Sequence, residues 1–308
     1  MRLIALLSFC LIAFGATLSA PAGSVTVVAI VVPDAGDTYA NGINNAGKIV
    51  GSFADCESHG FLRTAAGIFT KIDVPGPPPP PGTETEAWGI NDTGQIVGAF
   101  EDANSNRHGF LRTAGGTFTT IDVPDATDTY AQGINDGGEI VGFFIDASRK
   151  RHGYLRTAQG TFTTIDVPGA IDTVASGINA RGEIVGSFAD VSGKRHGYLR
   201  TAGGTFTTID VPGAISTEAF GLNDARWIVG SSYEEGGKHH SYLRTPGGSF
   251  TTIDYTAPSP APGSVGACTS ASGSEDSYAR GINNAGQIVG NFIGNTSENY
   301  GYVATPSR

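Results

Sequence analysis

Five of the six histidines recur at the same place in a repeated phrase, each followed by an arginine four residues later and an aspartate fourteen residues later. The triplets are His59, Arg63 and Asp73; His108, Arg112 and Asp122; His152, Arg156 and Asp166; His196, Arg200 and Asp210; and His240, Arg244 and Asp254. A His–Asp pair can position a general base. However, a catalytic site is normally singular, and no nucleophile signature accompanies these residues. We therefore expect a structural network of charges paired across adjacent strands, and no catalytic residues.

A second recurring group consists of carboxylates two residues before each expected first strand. Its members are Asp37, Glu84, Asp128, Asp172 and Asp276, with Ser216 in the remaining copy. Such a ring at a channel mouth could hold a cation. The alternative, which we favour, is that each carboxylate caps its own turn by accepting backbone N–H bonds.

Metal sites of the common kinds are not indicated elsewhere in the sequence. No Cys/His spacing suits zinc. The loops that begin at Asp102, Asp146 and Asp190 open like calcium loops, but they lack the glycine at position six and the terminal glutamate. We interpret them as polar turns and predict no metal and no cofactor.

The most informative position is the centre of an Ala-x-Gly step that recurs in every copy. The flanking alanine and glycine never change, whereas the central residue differs in all six copies: Asn41, Trp88, Gln132, Ser176, Phe220 and Arg280. Aromatic platforms with amide and guanidinium groups would suit a sugar or another polar ligand. The alternative is drift at a half-exposed position that tolerates change.

The elements that carry these residues follow from the repeat itself. A Gly-Ile-Asn or Gly-Leu-Asn triplet occurs six times, and its three central steps are each 44 residues. This period is typical of a four-stranded propeller blade. Short Thr-, Val- and Ile-rich runs, separated by Gly and Asn turns, predict four strands per copy; in the fourth copy these are 174–179, 183–188, 196–200 and 205–211.

The chain ends predict how the propeller closes. The last copy stops after its third strand, and Val25–Val32 matches the missing fourth strand. The sequence therefore predicts one all-β domain over 23–308, a six-bladed propeller whose last blade is completed by the N-terminal strand. The expected blades are 39–74, 86–123, 130–167, 174–211, 218–255 and 278–305 with 25–32.

Residues 1–22 have the features of a secretory signal peptide, with Arg2, an apolar run and an Ala20-Pro21-Ala22 cleavage motif. Because the run is too short for a membrane span, we expect a secreted, periplasmic or extracellular protein. Cys56 and Cys268 remain after cleavage, and both fall on the face of the ring that carries the loops between second and third strands, the upper face. A disulfide between them is expected, with two free thiols as the alternative.

The phrase G-I-N-x-x-G-x-I-V-G-x-F, then H-G-F/Y-L-R, then F-T-T-I-D, resembles the HAF-type extracellular repeat. The resemblance covers all six copies, although His-Gly-Phe at 59–61 and His-Gly-Tyr at 152–154 replace the His-Ala-Phe of that family. It implies an exported, propeller-like protein and supplies no catalytic residues.

The leading functional hypothesis is a secreted, monomeric binding module that engages a glycan or cell-surface polymer through the upper face. A net charge of −10 with 16% charged residues argues against a nucleic-acid partner. Two alternatives stay open: an extracellular hydrolase or lyase acting on a polysaccharide at the same face, and a structural envelope protein.

Overall fold

The chain forms six antiparallel sheets of four or five strands arranged as the blades of a propeller. The computed structural model describes residues 16–20, 23–55, 57–75, 84–254, 276–294 and 298–306. Within this part of the chain no helix is long and apolar enough to cross a membrane. The predicted all-β, six-bladed architecture with four strands per blade is confirmed. Cys56 and Cys268 lie outside the described residues.

The first strand of each blade lies nearest the axis, and the second strand pairs with it. The first strands are β3 Asp37–Ile43, β7 Thr85–Ile90, β11 Asp128–Ile134, β15 Asp172–Ile178, β19 Ser216–Leu222 and β23 Ser277–Ile282. The second strands are β4 Ile49–Ala54, β8 Ile96–Glu101, β12 Ile140–Ile145, β16 Ile184–Ala189, β20 Ile228–Tyr233 and β24 Ile288–Ile293.

The third and fourth strands form the outer half of each blade. The third strands are β5 Ser58–Arg63, β9 Arg107–Arg112, β13 Arg151–Arg156, β17 Arg195–Arg200, β21 His239–Arg244 and β25 Asn299–Pro306. The fourth strands are β6 Phe69–Ile72, β10 Phe118–Ile121, β14 Phe162–Ile165, β18 Phe206–Ile209, β22 Phe250–Thr252 and β2 Gly23–Ile30.

The two chain ends share the sixth blade, as the sequence predicts. The N-terminal strand β2 pairs antiparallel with the C-terminal strand β25, from Val25 opposite Pro306 to Ile30 opposite Gly301. A further strand, β1 Ala16–Ala20, lies outside β2 within the segment predicted to be a signal peptide. The first strand of blade six also contacts that of blade one, so the ring is closed.

Apolar side chains fill the spaces between adjacent blades rather than the interior of any single blade. Between blades three and four, Val141 and Ile165 meet Ala175, Ile184 and Tyr198 of the next blade. Equivalent clusters occupy the other interfaces. Because every blade is apolar on both faces, each one depends on its neighbours for burial.

Six glycines bring the first strands into backbone contact around the axis. In the Ala-x-Gly step of the fourth blade, a Cβ added to Gly177 would lie 2.8 Å from the carbonyl oxygen of Phe220 in the next blade. The corresponding distances are 2.6 to 3.1 Å at the other five positions. These axial glycines are Gly42, Gly89, Gly133, Gly177, Gly221 and Gly281. Their lack of a side chain permits the narrow inner radius of the ring.

The asparagine that follows each axial Gly-Ile or Gly-Leu pair forms a closed circle of hydrogen bonds. Each side-chain amide donates to the backbone oxygen of its counterpart in the next blade, at 3.1 to 3.3 Å, and the sixth donates back to the first. These axial asparagines are Asn44, Asn91, Asn135, Asn179, Asn223 and Asn283.

The same asparagines also hold the turn between first and second strands. The Oδ1 of Asn179 accepts hydrogen bonds from the backbone N–H groups of Arg181 and Glu183 at 3.0 Å. The positive φ in this turn is at Gly182, at 70°, and not at the asparagine. Asparagine is therefore present for its hydrogen bonds rather than for the left-handed conformation that the turn pattern suggests.

We expect Asn179→Ala to lower the free energy of unfolding by about 2–4 kcal/mol, because it leaves the Asn223 carbonyl and two turn N–H groups without partners. Urea denaturation followed by circular dichroism would measure the change. Thr163→Ala, on an exposed face of an outer strand, is the control and should change it by less than about 0.5 kcal/mol. Equal effects of the two substitutions would contradict a special role for the axial asparagines.

We expect Gly177→Ala to destabilise the protein by about 1–3 kcal/mol, because its Cβ would meet the Phe220 carbonyl oxygen across the blade interface. Gly203→Ala is the matched control, since its Cβ would meet nothing closer than Thr201 Oγ1 at 3.8 Å. Thermal and urea unfolding of both variants would test this. Equal free energies of unfolding for the two variants would show that the blades can move apart at the axis to accommodate the added methyl group.

Candidate functional site

Each first strand carries a β-bulge at the variable centre of its Ala-x-Gly step. In blade one, Ala40 pairs with Gly51 and Gly42 pairs with Val50, which leaves Asn41 without a partner in the ladder. The same irregularity occurs in the other five blades. A bulge bends its strand and changes the direction of the extra side chain. The flanking alanines are almost completely buried, and the axial glycines have no room for a side chain, so within this step only the bulged residue is free to vary.

The six bulged side chains line one cavity on the propeller axis, which we call the axial cavity. Its volume is about 660 Å³, within the range of small-molecule sites. The sequence-predicted residues Asn41, Trp88, Gln132, Ser176, Phe220 and Arg280 all lie on its wall. Ser58, Arg151 and Arg195, at or near the start of third strands, also line it, so the cavity extends toward the upper face.

Arg280, on the cavity wall, lies against two aromatic rings. The Arg280 guanidinium carbon lies 4.5 Å from the centre of the Phe220 ring and 5.2 Å from that of Tyr278. One face of Phe220 is therefore covered by a cation. Trp88 is differently placed, because its ring is tilted against Tyr130 at 6.4 Å and its Nε1 donates to Glu86 Oε2 at 2.9 Å.

Two glutamates on first strands, Glu86 and Glu218, bring negative charge into the cavity. Burial raises the pKa of Glu86 above its ordinary value, although nearby Arg107 and the hydrogen bond from Trp88 oppose the shift. Glu218 Oε1 lies 3.4 Å from Arg195 Nη1. The cavity thus contains both charge signs, and most of its charged groups have a partner.

Sequence reasoning missed Glu86, Glu218, Arg151 and Arg195 as wall residues. A signal was present for the glutamates. The position two residues before the bulge is also irregular among the copies, occupied by Tyr39, Glu86, Tyr130, Val174, Glu218 and Tyr278. Arg151 and Arg195, by contrast, resemble ordinary strand-end residues, because the sequence does not show how far their side chains extend toward the axis.

The five carboxylates predicted to ring the channel mouth do not line the axial cavity. Asp37, Asp128 and Asp276 instead accept the first backbone N–H of a third strand in the preceding blade, at 2.7, 3.1 and 2.9 Å. Glu84 pairs with Arg107 and Asp172 with Arg195, on the third strands of their own blades. The backbone amides that donate to Asp37, Asp128 and Asp276 in these contacts lie outside the turns of those residues. These contacts tie strands and blades together.

No group of three or more His, Cys, Asp or Glu side chains among the described residues is arranged to hold a metal ion. The loop aspartates bind their own backbone: Asp146 Oδ1 accepts the N–H groups of Ser148 and Lys150 at 2.8 and 2.9 Å. Asp102 and Asp190 make the same two contacts in their loops.

The five repeated histidines lie between two carboxylates on the outer part of each blade. His108 Nδ1 is 2.8 Å from Asp122 Oδ1 on the neighbouring strand segment, and its Nε2 is 3.5 Å from Asp102 Oδ2 in the loop. Its ring also stacks on Phe100 at 5.3 Å. The pairing of the histidine Nδ1 with the aspartate recurs in the four other blades that carry this histidine. These contacts agree with the expected structural pairing of histidine and aspartate.

The arginines of the same triplets have a different role from the expected one. Arg112 lies over the ring of Phe118 at 5.8 Å, and its counterparts occupy the same place at 5.8 to 5.9 Å. They interact with aromatic faces of the fourth strand rather than with the aspartates. The interaction is a cation–π contact with packing along the arginine stem.

The cluster around His108 leads to a pH dependence of stability. Burial lowers the pKa of His108, but the hydrogen bonds and charges of Asp122 and Asp102 more than offset it, so the net pKa is raised. Hydrogen bonds from Asn106 and Asn104 hold the pKa of Asp102 well below its usual range. The stabilisation from His108 is therefore complete below its unfolded pKa of about 6.5 and is lost as the pH rises through the higher folded value.

We expect the melting temperature of the parent to exceed that of His108→Gln by more at about pH 5.5 than at about pH 8.5. Thermal unfolding of both proteins across this range would measure the difference. Below about pH 4 the contribution of Asp102 should also decline, because a carboxylate with a depressed pKa loses its contribution as it is protonated. A difference in melting temperature that is constant with pH, or larger at alkaline pH, would contradict a raised pKa of His108 in the folded protein.

Comparison with known proteins supports the fold alone. No family model matches the chain, and no curated protein matches it. Solved structures do: a streptogramin B lyase superposes with a TM-score of 0.51 at 13% identity over 92% of this chain and 98% of that one. TolB from Acinetobacter baumannii gives 0.55 at 13% identity, over 85% and 64%. The Aleuria aurantia lectin, described as a six-bladed β-propeller with a fucose recognition mode, gives 0.53 at 12%, over 89% and 93%.

Proposed function

We propose that the protein is a secreted binding module that takes part of a glycan or cell-surface polymer into the axial cavity from its upper face. One observation carries the proposal: the six side chains that the repeat leaves unspecified all line one cavity. Residues needed for blade packing are the same or chemically similar in every copy. A ligand site on a six-fold ring, by contrast, must break that symmetry to bind an asymmetric molecule. The resemblance to the HAF-type repeat, an extracellular class, supports the location.

The wall of the axial cavity has the chemistry that carbohydrate binding requires. An indole ring at Trp88 offers an apolar face for the C–H side of a sugar. Asn41, Gln132 and Ser176 supply amide and hydroxyl groups for its hydroxyls. The fucose recognition named for the Aleuria aurantia lectin indicates that a fold of this kind is compatible with such a role.

A glycan array probed with the purified protein tests the proposal. We expect selective binding whose affinity falls at least tenfold in the Trp88→Ala, Phe220→Ala double variant. A loss of about 1.4 kcal/mol of binding free energy is enough for a tenfold change. Phe118→Ala, Phe162→Ala is the matched control, since it removes two aromatic rings from outer strands. Both double variants must first show the melting transition of a folded protein.

Binding that is equal in the two double variants would place the ligand outside the axial cavity. Absence of binding to every glycan would instead favour the structural envelope role. Cleavage of a bound polysaccharide would favour the hydrolase or lyase alternative, with Glu86 as the first residue to replace, since burial already favours its protonated form.

A further inference from the structure

Arg280 differs from the other charged residues of the axial cavity because no described residue neutralises it by contact. Arg195 pairs with Asp172 at 3.2 Å and with Glu218 at 3.4 Å. Glu86 faces Arg107 at 3.8 Å and accepts the Trp88 hydrogen bond. Among the described residues, the Arg280 guanidinium forms neither an ion pair nor a hydrogen bond, and its Nε is buried without an acceptor.

Two aromatic rings hold this guanidinium in place. Phe220 and Tyr278, from adjacent first strands, lie 4.5 and 5.2 Å from its carbon atom. Contacts with ring faces orient a planar guanidinium but leave its N–H groups unbonded. The site therefore presents fixed, directional donors in a partly desolvated space. Burial already lowers the pKa of Arg280, which reflects the cost of keeping the charge there.

The charges around Arg280 determine which anion would fit. The field of Glu218 and Glu86 acts on the guanidinium and would repel an anion of high charge. A carboxylate carries a single negative charge and matches the forked donors of arginine. Phosphate and sulfate esters carry their charge on tetrahedral groups, and a phosphate monoester approaches two negative charges. A monoanionic, planar carboxylate is the better match.

A second unsatisfied group lies across the axis from Arg280. This group is the Oε1 of Gln132, which is buried without a hydrogen-bond partner among the described residues. Gln132 is in blade three and Arg280 is in blade six. This oxygen can only accept, so an O–H or N–H group of a ligand is a suitable partner for it. A molecule that spans the cavity would need a carboxylate at one end and a hydroxyl at the other.

We infer that the axial cavity recognises an acidic sugar residue of the uronic acid type, with its carboxylate on Arg280 and a hydroxyl donating to Gln132. The inference rests on the proposed function and specifies its ligand class. It accounts for the two buried polar atoms of the cavity wall that have no partner in the described structure. Entry is from the upper face, because the axial glycines narrow the channel below the bulges.

The inference is tested with matched glycans that differ at one sugar, which is a uronate, the corresponding neutral hexose or the uronate methyl ester. The glycan array would identify which matched set binds, and calorimetry would then give the dissociation constant of each member. We expect the uronate to bind at least tenfold more tightly than the hexose or the ester. Arg280→Gln should abolish this preference, and Arg280→Lys should retain part of it, because the lysine keeps the charge without the fork.

Arg181→Gln is the matched control, since it removes the same charge from an exposed turn at the other end of the first strands. Its preference for the uronate should equal that of the parent. If Arg280→Gln fails to fold, the comparison of acid, ester and hexose on the parent protein still decides whether a carboxylate is recognised. Arg280→Lys then tests whether Arg280 is responsible.

Four results would overturn the inference. Equal binding of acid, ester and hexose would leave a glycan-binding protein without carboxylate recognition, so the proposed function would stand alone. A uronate preference unchanged in both Arg280 variants would place the carboxylate elsewhere. Arg280-dependent binding of a short peptide with a free C-terminus, but of no uronate, would assign the cavity to peptides. Failure to bind any glycan would remove the proposed function as well.

Discussion

The close approach of six first strands at the axis is the constraint on which the rest of the molecule depends. Backbone meets backbone there because the axial glycines have no side chain, and a Cβ at any of them would contact a carbonyl oxygen of the next blade. The axial asparagines then satisfy the carbonyl groups at the ends of these strands through a closed circle of hydrogen bonds. An unpaired buried carbonyl is costly, so this circle fixes each blade relative to its neighbours.

The bulge above each axial glycine separates the requirements of folding from those of the ligand binding that we propose. Ala40 and its equivalents pack in the core, and the axial glycines set the radius, so neither position can change without affecting the whole ring. The bulged residue has no partner in the ladder and faces the axial cavity. Six such positions provide an asymmetric wall on a symmetric scaffold. The balance of charge in that wall, with Arg280 uncompensated by contact, suggests recognition of a single negative charge.

Much of the fold could be predicted because the repeat is regular and the split unit at the chain ends implies closure. Strand boundaries differ by one or two residues from those predicted: β15 begins at Asp172 rather than at 174, since pairing extends into the carboxylate that precedes it. The function of the asparagines could not be predicted, because their partners lie 44 or more residues away in the next blade. A pattern within one copy indicates a turn and shows nothing of contacts between copies.

The candidate site was predictable where copies diverge and unpredictable where copies agree. Divergence identified Asn41, Trp88 and Arg280 as exceptional, and the structure brings them into one cavity with the other bulged residues. Arg195 was missed because its counterparts are also arginine in two blades, and only the folded chain shows which of them extend toward the axis. Arg226 occupies a turn position that is glycine in the other blades. Its hydrogen bond to Glu183 joins two neighbouring blades, so the pattern within one copy does not predict it.

A crystal structure of the protein with the tightest-binding glycan of the array tests the central claim most directly. We expect electron density for a sugar residue inside the axial cavity, in contact with the Trp88 ring and with an acidic group on the Arg280 guanidinium. Density confined to the outer strands or to the turns at the axial asparagines, with the cavity empty of sugar, would contradict the assignment of the site.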